Sequence, residues 1–204
     1  MPQLRSVAEF GCGRKPFGLL SRAAKAEKAG KLRAFVGVDI DAVEAERTAR
    51  RLGIKMPGNV LFIKGDAVEQ IKKFAPESKD VIFASNLFTR NYADYAVSEG
   101  VMGALNRAIV SFLVEAKRAL TPKGRIVLVH SKKDAFIFEL HGREVGLKTR
   151  VVELSDLQAQ RSLAPYTRKV SSPEKRVRRR NYVYGPKSDI NPGDLRPVAV
   201  IFRK

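Results

Sequence analysis

Acids and glycines stand directly after two short apolar runs near the start of this 204-residue sequence. The run VAEF has Glu9 as its third residue, with Gly11 and Gly13 just beyond the run, and the run AFVGVD ends in Asp39. Glycines let the backbone approach a ligand closely, and a carboxylate can accept hydrogen bonds from two hydroxyl groups at once. Residues of these types at these places are typical of a site that holds a nucleotide.

The apolar runs alternate with helical patterns along most of the chain. Strands are predicted at 4–10, 34–39, 59–66, 80–88, 125–130, 149–154 and 197–202. Helices are predicted at 19–30, 42–53, 67–75, 105–120 and 135–146, with Asp41, Asp66 and Asp134 as candidate N-caps and a stop at Thr121, Pro122 and Gly124. We therefore expect a single α/β domain over 1–204 with a Rossmann-like, doubly wound and mostly parallel seven-stranded sheet. No helical pattern separates the last two strands, which predicts an antiparallel pair at the sheet edge.

Four groups of residues that could bind a ligand or take part in chemistry come at the carboxyl ends of the first four predicted strands. In an open α/β sheet, ligands bind at these ends, near the point where the strand order reverses. The groups are Glu9 with the glycines, Asp39, Asp66, and Ser85 with Asn86. We expect them to meet at one crevice. Taken singly, Asp39 could also help to start the next helix, although Asp41 suits that role better, and Asp66 could cap the helix after it.

The glycine loop does not follow the common phosphate-binding patterns. In G-x-G-x-x-G read from Gly11, the third glycine would fall on Pro16, and the G-K-[ST] ending of a P-loop is absent. An acid at Glu9 disfavours a pyrophosphate and favours a ligand with positive charge or hydroxyl donors. The loop therefore fits neither a dinucleotide fingerprint nor a P-loop, and it lets the backbone approach a ligand of that kind closely.

The motifs EFGCG, VGVDID and KGDA resemble those of the class I S-adenosylmethionine-dependent methyltransferases. The resemblance covers about residues 4–138 by motif, and it implies that S-adenosylmethionine is the cofactor. It implies that the loop with Glu9, Gly11 and Gly13 contacts the amino acid end of the cofactor. It also implies that Asp39 holds the ribose hydroxyls and that Asp66 lies near the adenine amine.

The sequence departs from the family pattern in the glycine loop. The third glycine is displaced, and Arg14, Lys15 and Pro16 stand in the turn. These residues could reposition the amino acid end of the cofactor or present two positive charges to RNA, and the sequence leaves both alternatives open.

The end of the fourth strand is the place where this family contacts its acceptor. Ser85 is assigned there to the cofactor set, and the segment SNLF resembles, without its prolines, the [DNS]-P-P-[YF] motif of enzymes that methylate amines of bases. Asn86 could accept from such an amine and Phe88 could stack on a flipped base, which makes them the candidate catalytic residues. The alternative for Phe88 is packing beneath the long loop that follows. His130, at the end of the fifth strand, is interpreted as structural rather than as a general base.

The charge of the chain points to a polyanionic partner. Lys and Arg number 39 against 21 Asp and Glu, for a net charge of +18. Between Arg168 and Lys187 there are eight basic residues and one acid, inside a basic insertion predicted at about 159–195. Its candidate RNA contacts are Arg176, Arg178, Arg179, Arg180 and Tyr182, with Tyr184 as a second stacking surface. A disordered arm or a protein-binding surface are the alternatives.

The remaining composition excludes other classes. Without an apolar run of about 18 residues or a secretory signal, we expect a soluble, cytoplasmic protein without membrane contact. One cysteine, Cys12, and two histidines offer no metal-ligand set, so no metal is expected. The predicted function is methyl transfer from S-adenosylmethionine to a base of tRNA or rRNA. The alternatives are an RNA-binding relative without catalysis and an enzyme with a protein or small-molecule acceptor.

Overall fold

The computed structural model of the protein describes residues 6–11, 33–40, 42–51, 59–85, 87–88, 101–153 and 197–204. The strands are β1 (Ser6–Phe10), β2 (Ala34–Asp39), β3 (Val60–Lys64), β4 (Lys79–Ser85), β5 (Leu120–Ser131), β6 (Lys148–Glu153) and β7 (Pro197–Arg203). The helices are α1 (Ala42–Arg51), α2 (Ala67–Ile71), α3 (Val101–Ala119) and α4 (Lys132–Glu144). In these parts of the chain, no helix is long and apolar enough to cross a membrane.

The seven strands form one sheet in the order β3-β2-β1-β4-β5-β7-β6. The pairs within β3-β2-β1-β4-β5 are parallel, and β7 runs antiparallel to both β5 and β6. The predicted doubly wound sheet with an antiparallel last strand is thus confirmed. The strand order reverses between β1 and β4, so the crevice expected of such a sheet lies at the carboxyl ends of these two strands.

Helices α2, α3 and α4 cover one face of the sheet. The reason is the right-handed crossover rule, since β3→β4, β4→β5 and β5→β6 all step in the same direction across the sheet. The core beneath them is built on Phe112 of α3, which meets Phe10 of β1 edge to face, with ring centroids 5.1 Å apart. The same buried face of α3 carries three other fully buried residues at helical spacing, namely Ile109, Leu113 and Ala116. This packing fixes β1, and with it the residues that follow β1.

Two boundaries differ from the predicted elements around β5 and α4. Strand β5 begins at Leu120, directly after α3, so the residues predicted to end the helix lie within this strand. They form an irregularity in its pairing with β4, since Lys79 pairs with Leu120 and Val81 pairs with Arg125. Gly124 is needed there, since a Cβ would come within 3.0 Å of the Lys79 carbonyl oxygen. Helix α4 begins at Lys132, which places Asp134 in its first turn and not before it. The prediction of Asp134 as the N-cap was wrong.

Two other helices also depart from their predicted lengths. Helix α3 begins at Val101, four residues before the predicted start at Leu105. Helix α2 ends at Ile71, four residues before the predicted end at Ala75. Lys73 and Phe74 donate instead to carbonyls three residues back, so the helix closes in a tight turn.

The buried Lys79 predicts a pH-dependent stability. Its Nζ lies 4.5 Å from the centre of the Phe74 ring, and burial, helped by the positive charge of Arg33, lowers its pKa below the ordinary 10.5. Between the folded and unfolded pKa, the unfolded chain binds more protons, so this destabilisation is present at neutral pH and disappears as the pH approaches 10.5. We expect Lys79→Met to raise the melting temperature at pH 7 and to raise it less at pH 10, as followed by circular dichroism. A lower melting temperature at pH 7 would mean that the cation–π contact outweighs desolvation.

Candidate nucleoside site

The carboxyl ends of β1, β2 and β3 are joined by backbone hydrogen bonds. The Gly11 amide donates to the Val38 carbonyl at 2.9 Å, and the Gly65 amide donates to the Asp39 carbonyl at 3.1 Å. These bonds bring the turns after the three strands side by side. Gly11, Asp39 and Asp66, predicted from sequence as parts of one site, therefore lie along one edge of the sheet.

The turn after β1 requires glycine at its first position. Gly11 has φ of 69°, in the left-handed region that other residues rarely adopt. Glu9, two residues earlier, is 9% exposed and stands opposite Gly37 of β2 and Phe83 of β4. The predicted acid and glycine thus lie two residues apart at the end of β1, with the acid buried and the glycine in a left-handed turn.

Asp66 caps helix α2. Its Oδ1 accepts hydrogen bonds from the backbone amides of Val68, at 2.8 Å, and Glu69, at 3.1 Å. Of the two interpretations of Asp66, the cap is confirmed, and the contact with adenine stays a prediction. Asp66 could fill both roles, because the turn that carries it is bonded to Asp39 through the Gly65 amide.

Phe88 belongs to the core. It is 4% exposed, and its ring meets Phe112 at 5.5 Å and Phe138 of α4 at 6.0 Å between centroids. An aromatic ring held between two helices cannot stack on a base without leaving these neighbours. The structure therefore agrees with the packing alternative, and we do not propose Phe88 as a contact with the acceptor.

Several predicted residues lie outside the described residues or have side chains outside them. Ser85 is the last residue of β4, where it pairs with Val129, but its side chain is not among those described. The other predicted residues outside the described ranges are Gly13, Arg14, Lys15, Pro16, Asp41, Asn86, Arg176, Arg178, Arg179, Arg180, Tyr182 and Tyr184. The basic insertion itself falls between the end of β6 at Glu153 and the start of β7 at Pro197.

Ile40 is a candidate that the sequence analysis missed. It follows Asp39 directly and is 51% exposed. An exposed apolar side chain next to a candidate ribose acid provides a surface on which a planar base can pack. The signal in the sequence is the apolar residue between two acids in VDID, a place where a turn would otherwise be polar.

His130 is enclosed at the end of β5. It is 3% exposed, its ring packs on Phe138 with centroids 4.6 Å apart, and its Nδ1 lies 3.4 Å from an Asp134 carboxylate oxygen. These contacts agree with the structural role predicted from sequence. In the described part of the chain, no group of three or more His, Cys, Asp and Glu side chains could hold a metal ion.

Comparisons with known proteins relate the chain to others by fold alone. No protein-family model matches the sequence, and no curated protein matches it. Among solved structures, a TehB-like S-adenosylmethionine-dependent methyltransferase from Corynebacterium glutamicum shares 14% identity, with a TM-score of 0.54 over 100% of this chain and 82% of its own. A second such methyltransferase, from Aquifex aeolicus, shares 20% identity, with a TM-score of 0.52 over 74% of this chain and 78% of its own.

A third similar structure was determined with its ligands. It is the geranyl diphosphate C-methyltransferase of Streptomyces coelicolor, in complex with Mg²⁺, geranyl diphosphate and S-adenosylhomocysteine. It shares 17% identity, with a TM-score of 0.54 over 98% of this chain and 72% of its own. Together with the sheet order and the antiparallel β7, these comparisons show that the chain has the α/β fold of the S-adenosylmethionine-dependent methyltransferases.

Proposed function

We propose that this protein is an S-adenosylmethionine-dependent methyltransferase that acts on a base of a structured RNA. One observation carries the proposal. Gly11 and Asp39, predicted as cofactor residues from their motifs, follow neighbouring strands that are bonded to each other next to the reversal of strand order. Fold alone does not define a reaction, but these residues at this place fit one kind of ligand.

The residues at the crevice fit a nucleoside with a cationic tail. Asp39 is partly exposed, and a carboxylate can accept from both hydroxyls of a ribose. Ile40 offers an apolar surface to the base, the backbone after Gly11 can approach the amino acid end closely, and Glu9 favours positive charge there. S-adenosylmethionine has a ribose, a base and positive charges on its ammonium and sulfonium groups.

Bound S-adenosylmethionine would supply a methyl group attached to a positively charged sulfur. An acceptor atom would attack the methyl carbon in line while the carbon–sulfur bond breaks and its electron pair goes to sulfur. The protein then contributes mainly by positioning. Holding two reactants in line is worth effective concentrations on the order of 10⁵ M or more. A ring nitrogen of a base can act as acceptor without a proton acceptor in the protein, whereas an amine must lose a proton. Asn86 remains the proposed contact for an amine.

Charge supports RNA as the substrate class. A net charge of +18 repels itself in solution unless a polyanion balances it. The basic insertion, with Arg176 and Arg178–Arg180 near Tyr182, offers phosphate contacts next to a stacking surface. Attachment between β6 and β7 connects this insertion to the same sheet that carries the crevice.

A second candidate is methyl transfer to a small molecule. It is favoured by the geranyl diphosphate C-methyltransferase with a similar fold, whose acceptor is small. We place this candidate second because it gives no role to the net charge of +18. A third candidate, an RNA-binding protein without catalysis, predicts no cofactor binding.

The three candidates can be separated in one experiment. The protein is incubated with S-adenosylmethionine labelled in its methyl group and with fractionated RNA, protein and small molecules from cells, and labelled RNA is digested for nucleoside mass spectrometry. We expect label in one RNA fraction and a single methylated nucleoside. Label confined to small molecules or protein would replace the RNA acceptor. Label in no fraction, together with tight RNA binding and no cofactor binding in separate titrations, would leave only the third candidate.

A further inference from the structure

Three exposed cations form a cluster on the sheet at the end opposite to the crevice. Lys148 of β6 stands directly opposite Arg203 of β7, and Arg150 lies two residues along β6 from Lys148, opposite Ile201. Residues two apart on a strand share a face, and directly paired residues share a face too. The side chains of Lys148, Arg150 and Arg203 therefore project from one face, and we call this cluster the basic corner.

Within the described ranges, the three cations of the basic corner have no ion pair with a carboxylate. Lys64, Lys73 and Lys123 share this property, whereas other cations in these ranges pair with nearby carboxylates, namely Arg50, Lys72, Arg118, Lys132, Arg143 and Lys204. Within the described residues, no carboxylate lies within 4.0 Å of the charged groups of Lys148, Arg150 or Arg203, and all three residues are exposed. Like charges directly opposite on paired strands destabilise a sheet. The described part of the chain therefore places no opposite charge within 4.0 Å to offset the repulsion between Lys148 and Arg203.

Protection of a sheet edge does not explain the whole cluster. Charged residues on an edge strand prevent pairing with other chains, and β6 is an edge strand. Lys148 and Arg150 could serve that purpose. Arg203 lies on β7, which is paired on both sides, so protection of an edge gives no reason for a cation there. A bound polyanion accounts for all three.

We propose that the basic corner binds the phosphate backbone of RNA, in addition to the basic insertion. The three cations lie on one face, two of them on paired strands and the third two residues along β6. This arrangement can contact successive phosphates of one nucleic-acid chain. A single phosphate would engage fewer of them. The inference rests on the proposed RNA substrate and adds a surface on the folded sheet to it.

The position of the basic corner defines what kind of RNA could use both sites. Strand β6 runs parallel to β4 and β5, and Lys148 is its first residue, so the corner lies at the end of the sheet away from the crevice. Six residues of strand span about 20 Å. An RNA that contacts the corner while a base enters the crevice must extend over at least that distance. A folded RNA meets this requirement, and a mononucleotide does not.

The test compares two variants with equal loss of charge. The corner variant is Lys148→Gln/Arg150→Gln/Arg203→Gln, and the control is Lys72→Gln/Lys73→Gln/Arg143→Gln, which removes three exposed cations elsewhere. Affinity for fluorescently labelled bulk tRNA is measured by anisotropy from 50 to 300 mM salt. Loss of three phosphate contacts should reduce the slope of log K against log salt by about 2 to 3 and weaken binding roughly 100-fold near 0.1 M salt. The control should change both much less.

The outcomes separate this proposal from the proposed function. If wild-type protein binds tRNA with a steep salt dependence and the corner variant matches the control, the corner proposal fails while the RNA substrate stands. If wild-type protein does not bind tRNA, both fail. Phosphatidylserine vesicles serve as a second probe, and a corner variant that loses vesicle binding but keeps tRNA binding would identify a membrane surface and overturn the proposal. Circular dichroism shows whether each variant is folded.

Discussion

Replacement of Asp39 by alanine is expected to weaken S-adenosylmethionine binding by at least 100-fold. Two hydrogen bonds to a charged acceptor are each worth about 1.5–3 kcal/mol, and about 1.4 kcal/mol corresponds to a factor of ten. Asp39 ends β2 and is partly exposed, so the loss should fall on the ligand rather than on the fold. Isothermal titration calorimetry measures the dissociation constant directly.

Two further variants make the Asp39 experiment specific. Asp39→Asn keeps one acceptor oxygen without the charge, and its affinity should lie between those of wild type and Asp39→Ala. Glu46→Ala removes an acid from the exposed face of α1, where it pairs with Arg50, and exposed pairs contribute little. It should bind the cofactor like wild type. Equal affinity in wild type and Asp39→Ala would rule out the proposed cofactor site.

Phe112→Ala should produce the largest loss of stability. Phe112 is fully buried and contacts the rings of Phe10 and Phe88, so its removal leaves a cavity between β1, α3 and the turn after β4. Truncation of a buried aromatic residue costs about 3–5 kcal/mol. For a chain of this length we expect the melting temperature to fall by roughly 6–20 °C.

Phe136→Ala is the matched control for Phe112→Ala. Phe136 lies on α4 and is 63% exposed, so the same change of residue should alter stability by less than about 0.5 kcal/mol. Chemical denaturation with guanidinium chloride gives both values. Similar losses in the two variants would show that the aromatic cluster around Phe112 does not hold the core together.

Local sequence was sufficient to locate the strands that carry the site and the acids at or near their carboxyl ends. Strand β2 was predicted with its observed bounds, because AFVGVD is rich in β-branched and aromatic residues and is followed by turn residues. Asp39 and the turn at Gly11 were found in the same way. These features depend on neighbours within a few residues, and local sequence is sufficient for them.

The use of Phe88 depends on packing between elements that are distant in sequence. An aromatic residue after a strand has the same local pattern whether it faces a ligand or the core, and the choice for Phe88 came from Phe112 and Phe138, which are distant in sequence.

The basic corner could not be predicted from sequence for the same reason. Lys148 and Arg203 are more than fifty residues apart, and only the antiparallel register of β6 with β7 places them opposite each other. Periodicity predicts which face of its own element a residue occupies, but not which residue of another element faces it. The sequence therefore determined the residue types at the strand ends, and the pairing of distant strands decided which of them meet.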